Sequence, residues 1–98
     1  MSMRREVNTL TIFNISYDLT APGRDYEDLI DKIKELGNWA HPVQSTWLVD
    51  TNMSLTDVRS SLVAIMDSND KLIVTTCSKG AAWQKLHPDV VAWIKEKL

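Results

Sequence analysis

Asn14, Ser16 and Asp18 occupy alternate positions in the stretch "NISYDLTAPG", Asn14 to Gly23, so an extended chain sets all three in a row on one side. Asp18 carries the most chemistry of the three. A strand-ending aspartate is either a turn-former, bonding the backbone of Thr20 or Ala21 ahead of Pro22 and Gly23, or a metal ligand held on a rigid sheet. Ser16 and the more distant Thr46 could hydrogen-bond a phosphate or a metal-bound water, but neither has a neighbouring base to activate it as a nucleophile. Arg24, close to Asp18, could neutralise a phosphate, and Lys79 beside Gly80 is a second such cation; both also read as ordinary solvated charges.

Other reactive side chains point to less. His41 and His87 are far apart and lack partners at metal-ligand spacing, and the one cysteine, Cys77, completes no zinc set. His41 beside Pro42 is a surface or half-buried histidine before it is a general acid, and His87 stands just before a helix. Trp39, Trp47, Trp83 and Trp93 could stack on unpaired bases, yet without a basic cluster they fit a core and a subunit interface better.

The polar row needs a strand beneath it. From Thr9 to Leu19 the residues alternate, with Thr11, Phe13, Ile15, Tyr17 and Leu19 on the side that helices should cover. Asp25 can cap a helix whose Tyr26, Leu29, Ile30, Ile33 and Leu36 form one stripe, and Gly37 should end it at positive φ. Trp39 to Thr51 is β-rich, but Pro42 makes its portion an edge or a bend, so it is one bent strand or two short ones.

Ser54 and Asp57 make a capping-box pattern, with Met53 and Val58 as its staple and Leu55, Val58, Leu62, Ile65 and Met66 as the second helical stripe. "KLIVTTC", Lys71 to Cys77, suits a buried central or next-to-edge strand. Pro88 fits a first helical position, and Val91, Ile94 and Leu98 share one side of a terminal helix. The order of elements predicts an α+β, ferredoxin-like βαββαβ antiparallel sheet with helices on one face, plus a C-terminal helix. Residues 1–98 then form one domain, with its core in 9–77 and a helical extension over 81–98.

Composition narrows the functional classes. Apolar residues make up 44 % and charged ones 24 %, which fits a globular chain rather than a disordered or fibrous one. No apolar run approaches the roughly 20 residues that span a bilayer, and no long apolar block follows the early arginines, so a soluble cytoplasmic protein without membrane contact is expected. A lone cysteine agrees with a reducing compartment. The net charge of -2 and the absence of a basic run beyond Arg4 and Arg5 argue against tight, nonspecific nucleic-acid binding by a monomer.

The succession "SYD", "IKELGNW", "VQSTWLV", a capped helix and "SNDKLIV" resembles the Cas-two family, the small CRISPR-associated partners of the spacer integrase. It is closer still to the short stand-alone relatives labelled SinR family, which share the "AAW" segment and a terminal helix. The resemblance covers roughly Thr9 to Cys77, and its weight lies in the order and separation of the motifs. It implies a ferredoxin-like homodimer in which Asp18 matches the strand-end aspartate that faces its symmetry mate and holds a divalent ion. It also implies cleavage of RNA or DNA in some members and a structural role in others.

Magnesium or manganese keeps several waters, so one Asp18 from each subunit could suffice, with a phosphate completing the shell. Ser16, Arg24 and Thr46 would then be substrate-binding residues. Where the family has a glutamate after "SVF", this chain has the apolar Trp47 to Val49, and a helix replaces the usual last strand. The second hypothesis is therefore a non-catalytic dimer that binds another protein through the terminal helix, or a nucleotide-like ligand on the open sheet face.

Overall fold

The computed structural model describes residues 10–20 and 26–98. The elements run β1 (Thr11–Asp18), α1 (Glu27–Leu36), β2 (Asn38–Val43), β3 (Thr46–Thr51), α2 (Leu55–Val63), β4 (Lys71–Cys77) and α3 (Pro88–Lys97). The strands form one sheet in the order β2-β3-β1-β4, with every neighbouring pair antiparallel. This is the α+β arrangement the sequence predicts, and Trp39 to Thr51 supplies two strands joined at Gln44 and Ser45. Pro42 sits on the edge strand, where the β2–β3 register shifts between Ala40 and Val43, because a residue without an N–H cannot continue the ladder.

Alternation divides the sheet into two faces. Phe13 and Ile15 of β1 lie opposite Val49 and Trp47 of β3, and this inner face meets Leu29 and Ile33 of α1 and Val58 and Leu62 of α2. Tyr17 and Leu19 pack at its margin, and the Trp47 indole N–H donates to the Tyr17 hydroxyl at 3.0 Å. Removal of these large apolar side chains from water is the main driving term for the fold. Ser54 caps α2 as its spacing predicts, its hydroxyl accepting from the Asp57 amide at 3.1 Å. α1 starts at Glu27 with Tyr26, rather than the expected Asp25, at its N-cap position and with no side-chain cap bond there; Asp25 itself and the turn at Ala21, Pro22 and Gly23 lie outside the described residues.

Three expectations change. Gly37 does follow α1, but its φ of 170° is extended rather than left-handed. Glycine is needed there because a Cβ would run into the Asp50 carbonyl oxygen of β3, a close backbone approach. Lys71–Cys77 forms an edge strand, paired with β1 alone, rather than a central or next-to-edge one. The outer face is also not left fully open.

α3 folds back over the β2–β3 end of that outer face, where Ile94 joins Ala40 and Leu48 in a second apolar cluster flanked by Cys77, Val90, Trp93 and Leu98. Val90 and Trp93 share the covering side with Ile94 and Leu98, whereas Val91, expected in that stripe, is not among the side chains packed there. Two polar contacts fasten the helix. Lys97 meets the Asp50 carboxylate at 3.2 Å, with side-chain exposures of 20 % and 7 %, and the Trp93 indole N–H donates to Asn38 Oδ1 at 2.9 Å. Pro88 is in the first turn, and His87 caps the helix by accepting from the Asp89 amide through Nδ1 at 3.0 Å.

Candidate functional site

The β1–β4 half of the outer face carries the polar row. Asn14 lies opposite Thr75, Ser16 opposite Ile73, and Asp18 opposite Lys71, so these side chains share one side of the sheet. Ser16, Asp18, Lys71 and Ile73 line an open depression of about 300 Å³. Ile73 is 61 % exposed, a large apolar side chain left bare next to the acid.

Asp18 is exposed at the end of β1. Its turn-forming role has a competitor. The Thr20 amide donates to Asp70 Oδ1 at 3.0 Å, and the Thr20 hydroxyl donates to the same oxygen at 3.1 Å. Asp70 Oδ2 meanwhile accepts from the Asp67 amide at 2.9 Å. The aspartate that holds the chain leaving β1 is thus Asp70, from the loop before β4, and the Thr20 backbone is not what Asp18 binds. Sequence reading misses Asp70 because the two partners are separated by 50 positions.

Ser16 and Thr46, singled out separately in the sequence, come together. Their registers are paired across β1 and β3, and their hydroxyl oxygens stand 2.9 Å apart. Ser16 Oγ also donates to Asn14 Oδ1 at 2.8 Å, so an amide and two hydroxyls form one continuous chain. The single Ser16 proton is used in that chain, which leaves the hydroxyl without one to offer a phosphate. Arg24 lies outside the described residues, and Lys79 is exposed in the segment after β4.

Magnesium demands hard oxygen ligands in a near-octahedral shell. Among the described residues, no three His, Cys, Asp or Glu side chains gather to hold a metal ion. Asp18 stands directly opposite the cationic Lys71 in the strand register. The described donor set of one chain does not fit a divalent ion by itself.

The histidines have structural partners. His41 stacks on Trp47, with centroids 3.7 Å apart and planes within 6°, and its Nε2 lies 3.0 Å from the Gln44 carbonyl oxygen. It braces the β2–β3 turn. Lys34 of α1 lies 4.8 Å over the exposed Trp39 ring, so that face of the ring is occupied by a cation. Burial pushes the Cys77 thiol above its ordinary range, which keeps it protonated and poorly nucleophilic near neutrality.

No helix among the described residues is long and apolar enough to cross a membrane. No protein-family model matches the chain, and no solved structure matches it with statistical significance.

Proposed function

We propose that the chain acts as a Cas-two-like homodimer, joined through the β1–β4 half of the outer face, in which two Asp18 carboxylates share a divalent magnesium or manganese ion. The ion engages an RNA or DNA phosphodiester in the cytoplasm, where the lone Cys77 suits a reducing setting. The observation that carries this reading is the state of Asp18: exposed on the half-face that α3 leaves bare, beside the exposed Ile73, while Asp70 holds Thr20. A two-fold axis there supplies a second Asp18 carboxylate. The bound ion would lower the pKa of a water and offset charge on the phosphoryl oxygens.

The experiment pairs sedimentation with a cleavage assay on single- and double-stranded RNA and DNA across metals and pH. The expected result is a dimer with manganese-dependent cleavage that Asp18→Ala abolishes while the dimer persists. A monomer at all concentrations, or equal cleavage by Asp18→Ala, contradicts the reading.

A second reading, a non-catalytic dimeric binding module for a protein or a nucleotide-like ligand, is favoured by the position of Lys71. A lysine directly across from Asp18 offers the carboxylate a partner and competes with a metal for it. Under this reading the dimer forms without metal, no substrate is cut, and Lys71→Ala creates no metal dependence.

A further inference from the structure

Among the described residues the sheet has two free edges, β2 and β4, and they are finished differently. β2 carries Pro42 and a register shift between Ala40 and Val43, and α3 packs against it. Prolines, bulges and covering elements blunt an edge against further pairing. β4 has neither a proline nor a register shift: its pairing with β1 runs unbroken from Lys71 to Cys77. Alternate N–H and C=O groups along β4 therefore point to the free side, where no described strand meets them.

At this edge lies an open groove of about 310 Å³, lined by Leu72, Ile73 and Val74 of β4 and by Leu55, Thr56 and Arg59 of α2. Leu72 and Val74 turn toward the main core, so a strand laid along the edge would set every second side chain on the α2 side. Leu55 there is exposed and apolar. Arg59 is exposed and makes no ion pair among the described residues. Three and four positions away on its own helix stand Leu55, Thr56, Leu62 and Val63, none of them acidic. No acid lines the groove, and the only charge on β4 is Lys71.

We infer that the β4 edge takes up an extended acidic segment of another protein as a fifth strand, its backbone paired to β4 and a carboxylate on the α2 side meeting Arg59. In such strand addition the main-chain hydrogen bonds supply affinity, and the alternate side chains supply specificity. Charge decides between this occupant and a second copy of the chain. Edge-to-edge pairing of two β4 strands would bring two Arg59 and two Lys71 toward one interface with no acid in either lining. An acidic segment supplies the charge that the groove lacks. The site uses neither Asp18 nor a metal, so it goes beyond the function proposed above.

The test is titration of the full chain, in chelator, with a fluorescein-labelled heptapeptide of alternating valine and threonine whose central residue is glutamate, read by anisotropy and by amide hydrogen exchange. This peptide is expected to bind saturably, and the same peptide with a central lysine about tenfold weaker, because an attraction becomes a repulsion. Arg59→Glu should reverse the order of the two peptides, with circular dichroism confirming the fold. Binding should slow exchange at alternate amides of β4 and leave β2 unchanged. No saturable binding up to about 1 mM, equal binding of both peptides, or protection of β2 in place of β4 overturns the inference. So does β4 protection that rises with protein concentration and is unaltered by peptide, the mark of a second copy on the edge. Because chelator is present and no cleavage is read, a failed Asp18 reading leaves this result untouched.

Discussion

The two faces of the sheet are built on different terms. The inner face is continuous: Phe13, Ile15, Trp47 and Val49 meet two helices, and all four are nearly or wholly excluded from solvent. The outer face is divided. Its β2–β3 half is covered by α3 over a small apolar patch, fastened by Lys97–Asp50 and Trp93–Asn38, whereas its β1–β4 half keeps a polar row and a bare isoleucine. The main apolar core lies on one side, and the exposed polar row lies on the other.

The sharpest way to break that contrast is to cut into the inner face. Phe13→Ala or Ile15→Ala removes a fully packed side chain and should cost about 3–5 kcal/mol in denaturant unfolding. A loss under about 1 kcal/mol, within the range of surface substitutions, would mean the inner face is not the main core.

Next in size is Lys97→Met, which strands the Asp50 carboxylate beneath α3. A fully buried broken pair costs about 3–5 kcal/mol, and the partial exposure of Lys97 reduces the expected loss to about 2 kcal/mol. Asp50 is the more buried partner, so the double variant Asp50→Leu with Lys97→Met should recover most of that loss. No recovery would show that α3 is held by something other than this clasp. Gly37→Ala should cost about 1–3 kcal/mol, because the added methyl meets backbone rather than a flexible side chain. A neutral Gly37→Ala would remove the close-approach account of that glycine.

Under the proposed dimer, Ile73→Ser should shift sedimentation toward monomer while changing monomer stability by less than about 0.5 kcal/mol. An unchanged dimer would place the subunit contact elsewhere. The smallest effect concerns Cys77. Its thiol is raised by burial, so alkylation of the native chain should lag behind that of the unfolded chain at mildly alkaline pH. The sign for stability follows: the folded state holds the proton longer, so this contribution is full below the unfolded thiol's pKa and falls as pH rises through the folded one.

Much of the inner face was legible because periodicity reports burial directly. Phe13, Ile15 and Tyr17 alternate, Leu29 and Ile33 are one turn apart, and the Ser54 cap is a local bond. The outer face was legible only in its first strand. That α3 would return to β2, and that Asp50 would find Lys97, depends on partners 47 positions apart that no local pattern connects. β4 reads as a buried strand because "KLIVTTC" is β-rich throughout, although Ile73 and its neighbours alternate between covered and bare.

The candidate site divides in the same way. Asn14, Ser16 and Asp18 are aligned by simple alternation, so their shared face is readable. The Ser16–Thr46 contact and the Asp70 hold on Thr20 arise from strand register and loop closure. Both change the meaning of residues that the sequence does identify.

The most direct test of the Asp18 account is the stoichiometry of manganese bound to the purified chain, read by electron paramagnetic resonance alongside sedimentation. The account predicts one ion for every two chains, lost in Asp18→Asn without loss of the dimer. One ion per chain, no ion at all, or retention of the ion in Asp18→Asn would contradict it.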